Sequence, residues 1–302
     1  MWEFLLLPIL LISLTFSLQC GENNSGIYDD IHFKNYNVCI NVNKSESFYS
    51  VHHLQPNVTK LSNYTRPKWR TKLYKSAGDA YEEKVQFPRF RSLGLPQING
   101  SNSLSLVHFH FVPAGDFTNK PDRDETFYVE NCVPGFQSIN NGNWIYIEDR
   151  IKSMIQSQSQ ILTGQFGHLV LINSTLQKVE MYLENSGTRK RPRPNNLPPY
   201  NHIKVPEFFY KMVKTSLKNG FVVITSNNPF MNNSNFTKMC LKDLCKSLNL
   251  KDIHLGYTYC CPVKEFATNL AKNYSITFNR HIFNINNVID VNSIDFEKTK
   301  LP

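Results

Sequence analysis

Apolar and polar positions along the chain fall into a few rhythms, and each predicts an element. The opening residues carry an apolar run, Phe4 to Ile12, closed by Ser13, Thr15 and Ser17. That run is shorter than the about 20 apolar residues a membrane span requires. It predicts a secretory leader over residues 1–19, although Glu3 stands where such leaders carry a basic residue. Residues 20–65, rich in Asn and Ser with scattered aromatics, predict an extension of short strands and loops. Leu104 to Phe111 alternates and predicts a strand that ends at Pro113-Ala114-Gly115-Asp116. Thr126 to Val129 reads either as a second short strand or as part of a helix. Asn140 to Asn143 form a capping and turn cluster ahead of Trp144, Ile147, Ile151, Met154 and Ile155, whose spacing predicts a helix with one buried face. Asn140, Trp144, Glu148 and Lys152 fall four apart, which puts Glu148 and Lys152 on neighbouring turns of one face. Phe166 to Ile172 with Val179 to Leu183 predict a hairpin, Phe221 to Thr225 a strand, and Ile282 to Pro302 a loosely packed end.

Charge narrows the class of partner. With 33 Lys and Arg against 24 Asp and Glu, the formal charge is +9, which suits nucleic acid, a heparin-like glycan or an anionic surface. Solubility alone accounts for such a charge equally well. No later stretch is long and apolar enough to span a membrane. Basic and aromatic residues interleave at Arg66-Pro67-Lys68-Trp69-Arg70 and at Phe87-Pro88-Arg89-Phe90-Arg91. Two readings are open there: phosphate contacts beside stacking surfaces, or a half-buried strand with a charged outer face. Arg189, Lys190, Arg191 and Arg193 lie in a proline-broken loop, which reads as a clamp on a phosphate backbone or as a solvated surface loop.

All seven cysteines follow the apolar run, so export would expose them to oxidation. The pairing expected is Cys20 with Cys39 and two bridges among Cys240, Cys245, Cys260 and Cys261, with Cys132 left over. A zinc knot is disfavoured, because no nearby pair of histidines completes it. Sequons at Asn43, Asn57, Asn63, Asn173 and Asn273 would be open to glycosylation after export.

The stretch His108-Phe109-His110-Phe111-Val112-Pro113-Ala114-Gly115-Asp116-Phe117, then Asn131-Cys132-Val133-Pro134, then Ile139-Asn140-Asn141-Gly142-Asn143-Trp144-Ile145-Tyr146-Ile147-Glu148, resembles the signature of the DNA/RNA non-specific endonucleases. These are secreted nucleases of the ββα-metal, or His-Me finger, class. Further segments look like the family's arginine segment (Arg66-Pro67-Lys68-Trp69) and its later helix and strand (Val205 to Lys211, Gly220 to Ile224). Asn228-Pro229 and Gly256 to Cys261 are similar to insect secreted members. The resemblance covers roughly residues 50–270. It implies one α+β domain over 66–275, a central, mostly antiparallel sheet flanked by helices with a ββα-metal motif, followed by a tail over 276–302. It also implies roles: His110 as general base, Asn140 as the direct ligand to magnesium or manganese, and Glu148 holding that ion's waters. Asn131 would brace the site, Lys152 would face the phosphate, and Arg66 would stabilise the growing negative charge. DNA and RNA are then the expected partners, outside the cell, with no membrane attachment.

The chain departs from the family pattern at one place. Members carry Arg-Gly-His, and this chain carries His108-Phe109-His110. A permanent charge with a bidentate fork is replaced by an imidazole, and Phe109 in place of glycine would crowd the cleft or shift the strand. Two functional readings follow: a secreted, metal-dependent, sugar-nonspecific endonuclease, or a catalytically impaired relative that holds extracellular nucleic acid.

Overall fold

The computed structural model describes residues 28–41, 46–59, 61–72, 80–95, 97–98, 104–184, 203–231, 238–245, 250–278 and 283–294. In chain order the strands are β1 (Tyr28–His32), β2 (Tyr36–Asn41), β3 (Glu46–Leu54), β4 (Leu106–His110), β5 (Cys132–Phe136), β6 (Ser159–Phe166), β7 (Val170–Ile172) and β8 (Lys178–Glu180). They continue with β9 (Tyr182–Leu183), β10 (Ile203–Lys204), β11 (Phe208–Lys214), β12 (Asn219–Ser226), β13 (Thr258–Cys261) and β14 (Ile289–Asp290). The helices are α1 (Glu83–Ser92), α2 (Lys120–Glu125), α3 (Gln137–Ile139), α4 (Ile145–Met154) and α5 (Val263–Tyr274).

The main sheet runs β1-β2-β3-β6-β11-β12-β13 with antiparallel neighbours, and β14 adds to β12 in parallel. This is the α+β architecture expected, with α4 packed on one face and α5 on the other. The middle strands are covered on both sides, so β11 and β12 read as apolar runs without polar alternation. In β11 the period of two still sorts the faces. Phe208, Tyr210 and Met212 join the α5 core, while Phe209 and Val213 face α4.

Several expectations are corrected. The described part of the segment 20–65, expected as an extension of short strands and loops, supplies β1, β2 and β3, and β3 pairs with β6 at the centre of the sheet. Phe166 belongs to β6, so the hairpin is the shorter β7–β8 pair, and β9 pairs with β10. The segment Val205 to Lys211, likened to the family's later helix, instead runs into strand β11. Phe87 to Arg91 lies in helix α1 rather than in a strand, with Phe90 fully buried and Arg89 ion-paired to Glu184, so that segment presents no run of stacking surfaces. Thr126 caps α2, and Val129–Asn131 form a 3-10 turn. Of the end expected to be loose, the described residues 283–294 pack inward, with Phe283, Val288 and Ile294 buried.

Disulfides join Cys240 to Cys261 and Cys245 to Cys260, two bridges within the last four cysteines as expected. Cys39 is also disulfide-bonded, while Cys20 lies outside the described residues. Cys132 is a free, buried thiol. Asp243 gathers with Cys245 and Cys260, but those sulfurs are bonded to each other and are not thiolate ligands. Among the described residues no helix is long and apolar enough to cross a membrane.

Candidate functional site

Two short strands and one broken helix build the site. β4 pairs with β5 so that His110 lies opposite Cys132 and His108 opposite Pro134. Alternation along β4 sends Phe109 away from both histidines into the core. There it is fully buried and stacks on Phe209 at 3.7 Å, with Trp144 at 5.0 Å. Phe109 therefore does not crowd the cleft. The space it fills is left by Gly135, where an added Cβ would sit 2.6 Å from its ring.

On the other face, aromatic rings stack in a column. His108 lies between Trp69 at 4.2 Å and Tyr81 at 3.6 Å, both nearly parallel to it. Trp69 also covers His110 at 4.8 Å, and Phe127 meets that imidazole edge-on at 5.0 Å. Burial pushes both imidazoles down to about 3, helped at His110 by the Arg66 charge and at His108 by His110. Both are neutral at ordinary pH. His110 Nε2 is enclosed without a hydrogen-bond partner among the described residues, the kind of unsatisfied buried group that calls for a functional account. Fully buried Asn131 fixes the turn just beyond His110. Its Oδ1 accepts from Val112 N at 3.0 Å, and its Nδ2 donates to Val112 O at 2.9 Å and Thr126 O at 3.0 Å.

The predicted helix is interrupted. α3 runs into a widened turn, Asn140–Trp144, where Gly142 leaves helical geometry (φ −94°, ψ −122°) before α4 begins. Asn140 thus precedes the break and Glu148 follows it, so they do not share one continuous helix. The break fits the Leu255 backbone: a Cβ on Gly142 would meet Leu255 O at 2.7 Å. Asn143 ties the same place, its N donating to Leu255 O at 2.9 Å and its Nδ2 to Gly256 O at 2.6 Å. Asn140 is half-buried, with its Nδ2 3.5 Å from Asn141 Oδ1.

Behind Glu148 lies a charge network that the sequence reading did not assemble. Burial raises the Glu148 carboxyl to about 7 against the pull of Lys211, whose Nζ is 3.7 Å from Oε1. Lys152 reaches Asp149 at 2.9 Å and Asp116 at 3.9 Å, so acidic neighbours engage the cation expected to face phosphate. Asp116 accepts from His52 Nε2 at 2.9 Å. A lone lysine inside the apolar run of β11 was the available signal for Lys211. Arg66 is exposed, close enough to His110 to act on its titration. Arg189, Lys190, Arg191 and Arg193 lie outside the described residues.

Known proteins are similar to this chain in sequence. A salivary endonuclease of Lutzomyia longipalpis is 28% identical over 247 residues, covering 76% of this chain and 56% of the relative. The salivary protein Tsal2A of Glossina morsitans morsitans is 24% identical over 279 residues, covering 83% of this chain and 66% of the relative. The chain thus spans less than two thirds of the length of these curated relatives. A chain of the crystal structure of the EndoG/EndoGI complex is similar at 19% identity and TM-score 0.43, over 68% of this chain and 76% of that one. The family model for DNA/RNA non-specific endonucleases matches residues 18–266, most of the length, and the chain belongs to that family.

Proposed function

We propose that this protein is a secreted, metal-dependent endonuclease that hydrolyses phosphodiester bonds of both DNA and RNA. The observation that carries the reading is His110: a neutral imidazole with an unpartnered buried nitrogen, on a strand end braced by Asn131 and within the field of Arg66. A neutral imidazole accepts a proton, which is the task of a general base toward an attacking water. Arg66, permanently charged and exposed, suits the charge that develops on the phosphate. Magnesium or manganese fits the donors at hand, since Asn140 offers an amide oxygen and Glu148 a buried carboxylate. Asn140 would hold the ion directly and Glu148 its waters. When bound, such an ion supplies Lewis-acid stabilisation of the leaving oxygen. The Lutzomyia and Glossina relatives bear salivary names, which supports secretion as part of the same proposal for this chain, together with glycosylation at exposed sequons such as Asn57 and Asn63.

The test is cleavage of plasmid and of RNA by purified protein with and without Mg²⁺, beside His110→Ala. Cleavage that disappears with EDTA and with His110→Ala is expected. Intact substrates across neutral and alkaline pH would overturn the reading.

A specific observation favours a second reading, a binder of extracellular nucleic acid with little turnover. His108, where the family pattern has arginine, is uncharged and closed between two rings. Salt-sensitive binding that persists in EDTA without cleavage would support it. A large gain of cleavage in His108→Arg would show that the missing guanidinium limits the native chain.

A further inference from the structure

β11 is covered on both faces, and every residue from Phe208 to Val213 is buried. An ammonium in such a place costs several kcal/mol unless charge and hydrogen bonds compensate it. Lys211 has only 2% of its side chain exposed. The period of two places it between Phe209 and Val213, on the face that meets α4. Its Nζ donates to Thr163 Oγ1 at 2.8 Å, and Thr163 stands directly opposite in β6. The same Nζ lies 5.3 Å from the Trp144 ring centroid and 3.7 Å from Glu148 Oε1.

We propose that Lys211 is a positioning residue for Glu148: anchored on Thr163 and packed against Trp144, its ammonium fixes where the carboxylate sits above the sheet and supplies its counter-charge. Other charged groups face this place. Asp116 Oδ2 is taken by His52, its Oδ1 faces Lys152 at 3.9 Å, and Lys152 is bound to Asp149. Lys211 is accordingly the ammonium within ion-pair distance of Glu148 among the described residues. Because the anchor is a β-sheet register, the carboxylate is held by the most rigid part of the fold even though it projects from the short helix beyond the Gly142 break. The importance of this for catalysis rests on the nuclease reading above; the pairing itself does not.

The experiment is a double-mutant cycle on the unfolding of the intact protein at pH 8, without metal or nucleic acid, using Lys211→Met, Glu148→Gln and the double variant. Contacting charges couple strongly, so Glu148→Gln is expected to recover part of the stability lost in Lys211→Met, with a coupling of about tenfold in the unfolding equilibrium constant. A purely packing role for the lysine predicts additive effects, and additivity overturns the proposal. Should Lys211→Met fail to fold, the cycle is run with Thr163→Val, which keeps the lysine but unties it. There a coupling of about threefold is expected, and additivity again overturns the proposal. Coupling in a protein that cleaves nothing would sink the nuclease reading and leave this one standing.

Discussion

His108 and His110 leave the same side of β4, and burial holds both imidazoles at about 3. An unfolded chain takes up a proton on each near pH 6.5, while the folded chain does not until about pH 3. Each histidine therefore withdraws stability as pH falls through that window. Glu148 runs the other way. Its folded value of about 7 exceeds its ordinary 4.5, so its contribution falls as pH rises between those values and is level above them. His108→Phe keeps a ring between Trp69 and Tyr81 and deletes one acid-labile group. Its acid-unfolding midpoint should lie at lower pH than that of the parent, and an unchanged or higher midpoint in an acid titration would count against the assignment. For cleavage, the rate should climb through about pH 7 as Glu148 loses its proton. Glu148→Gln should lack that limb and lose about 10²-fold or more, the scale on which a catalytic electrostatic group acts. A rate–pH series on both proteins decides it.

At the scale of elements, the break between α3 and α4 and the loop that fills it act as one piece. Gly142→Ala would drive a methyl into the Leu255 backbone, so either the loop or Asn140 must move. The expected outcome is a lower melting temperature together with weaker Mg²⁺ binding by calorimetry, and unchanged metal affinity would refute the link. That break also marks the limit of what the chain revealed beforehand. The strand carrying His110, the buried face of α4 and the strand β12 were legible because each is local and periodic. The four-residue spacing from Asn140 to Glu148 predicts a continuous helix, since nothing local announces that Leu255, more than a hundred residues later, will press against Gly142. Lys211 was hidden for a similar reason. Its meaning depends on Thr163 and Glu148 converging from other elements, a tertiary fact. Phe109 was misjudged because the glycine that makes room for it, Gly135, lies on the neighbouring strand.

Over the whole molecule, two disulfides lock β13 and the segment before it, and Leu250 to Gly256 is held between them and Asn143. Bridges closing loops of this size stabilise by about 3 kcal/mol each. Mild reduction should therefore lower the melting temperature, and it should depress cleavage before global unfolding because the loop supports Asn140 through Gly142. Parallel loss of activity and of far-ultraviolet dichroism would argue against that order. The charge of +9 makes a separate prediction: nucleic-acid affinity, measured with His110→Ala to prevent cleavage, should fall linearly with salt on logarithmic axes. A flat dependence would place binding elsewhere than on phosphates. The seventh cysteine bears on how the molecule is made. Cys132 sits opposite His110 with its thiol donating to Val129 O at 3.3 Å, and burial holds it well above the ordinary thiol range. Folded, it is slow to oxidise; unfolded, it competes for every partner that the true bridges need. Early pairing of β4 with β5 would withdraw Cys132 from that competition, whereas a chain oxidised before the pairing would leave the thiol opposite its own imidazole free to divert the cysteines of β13.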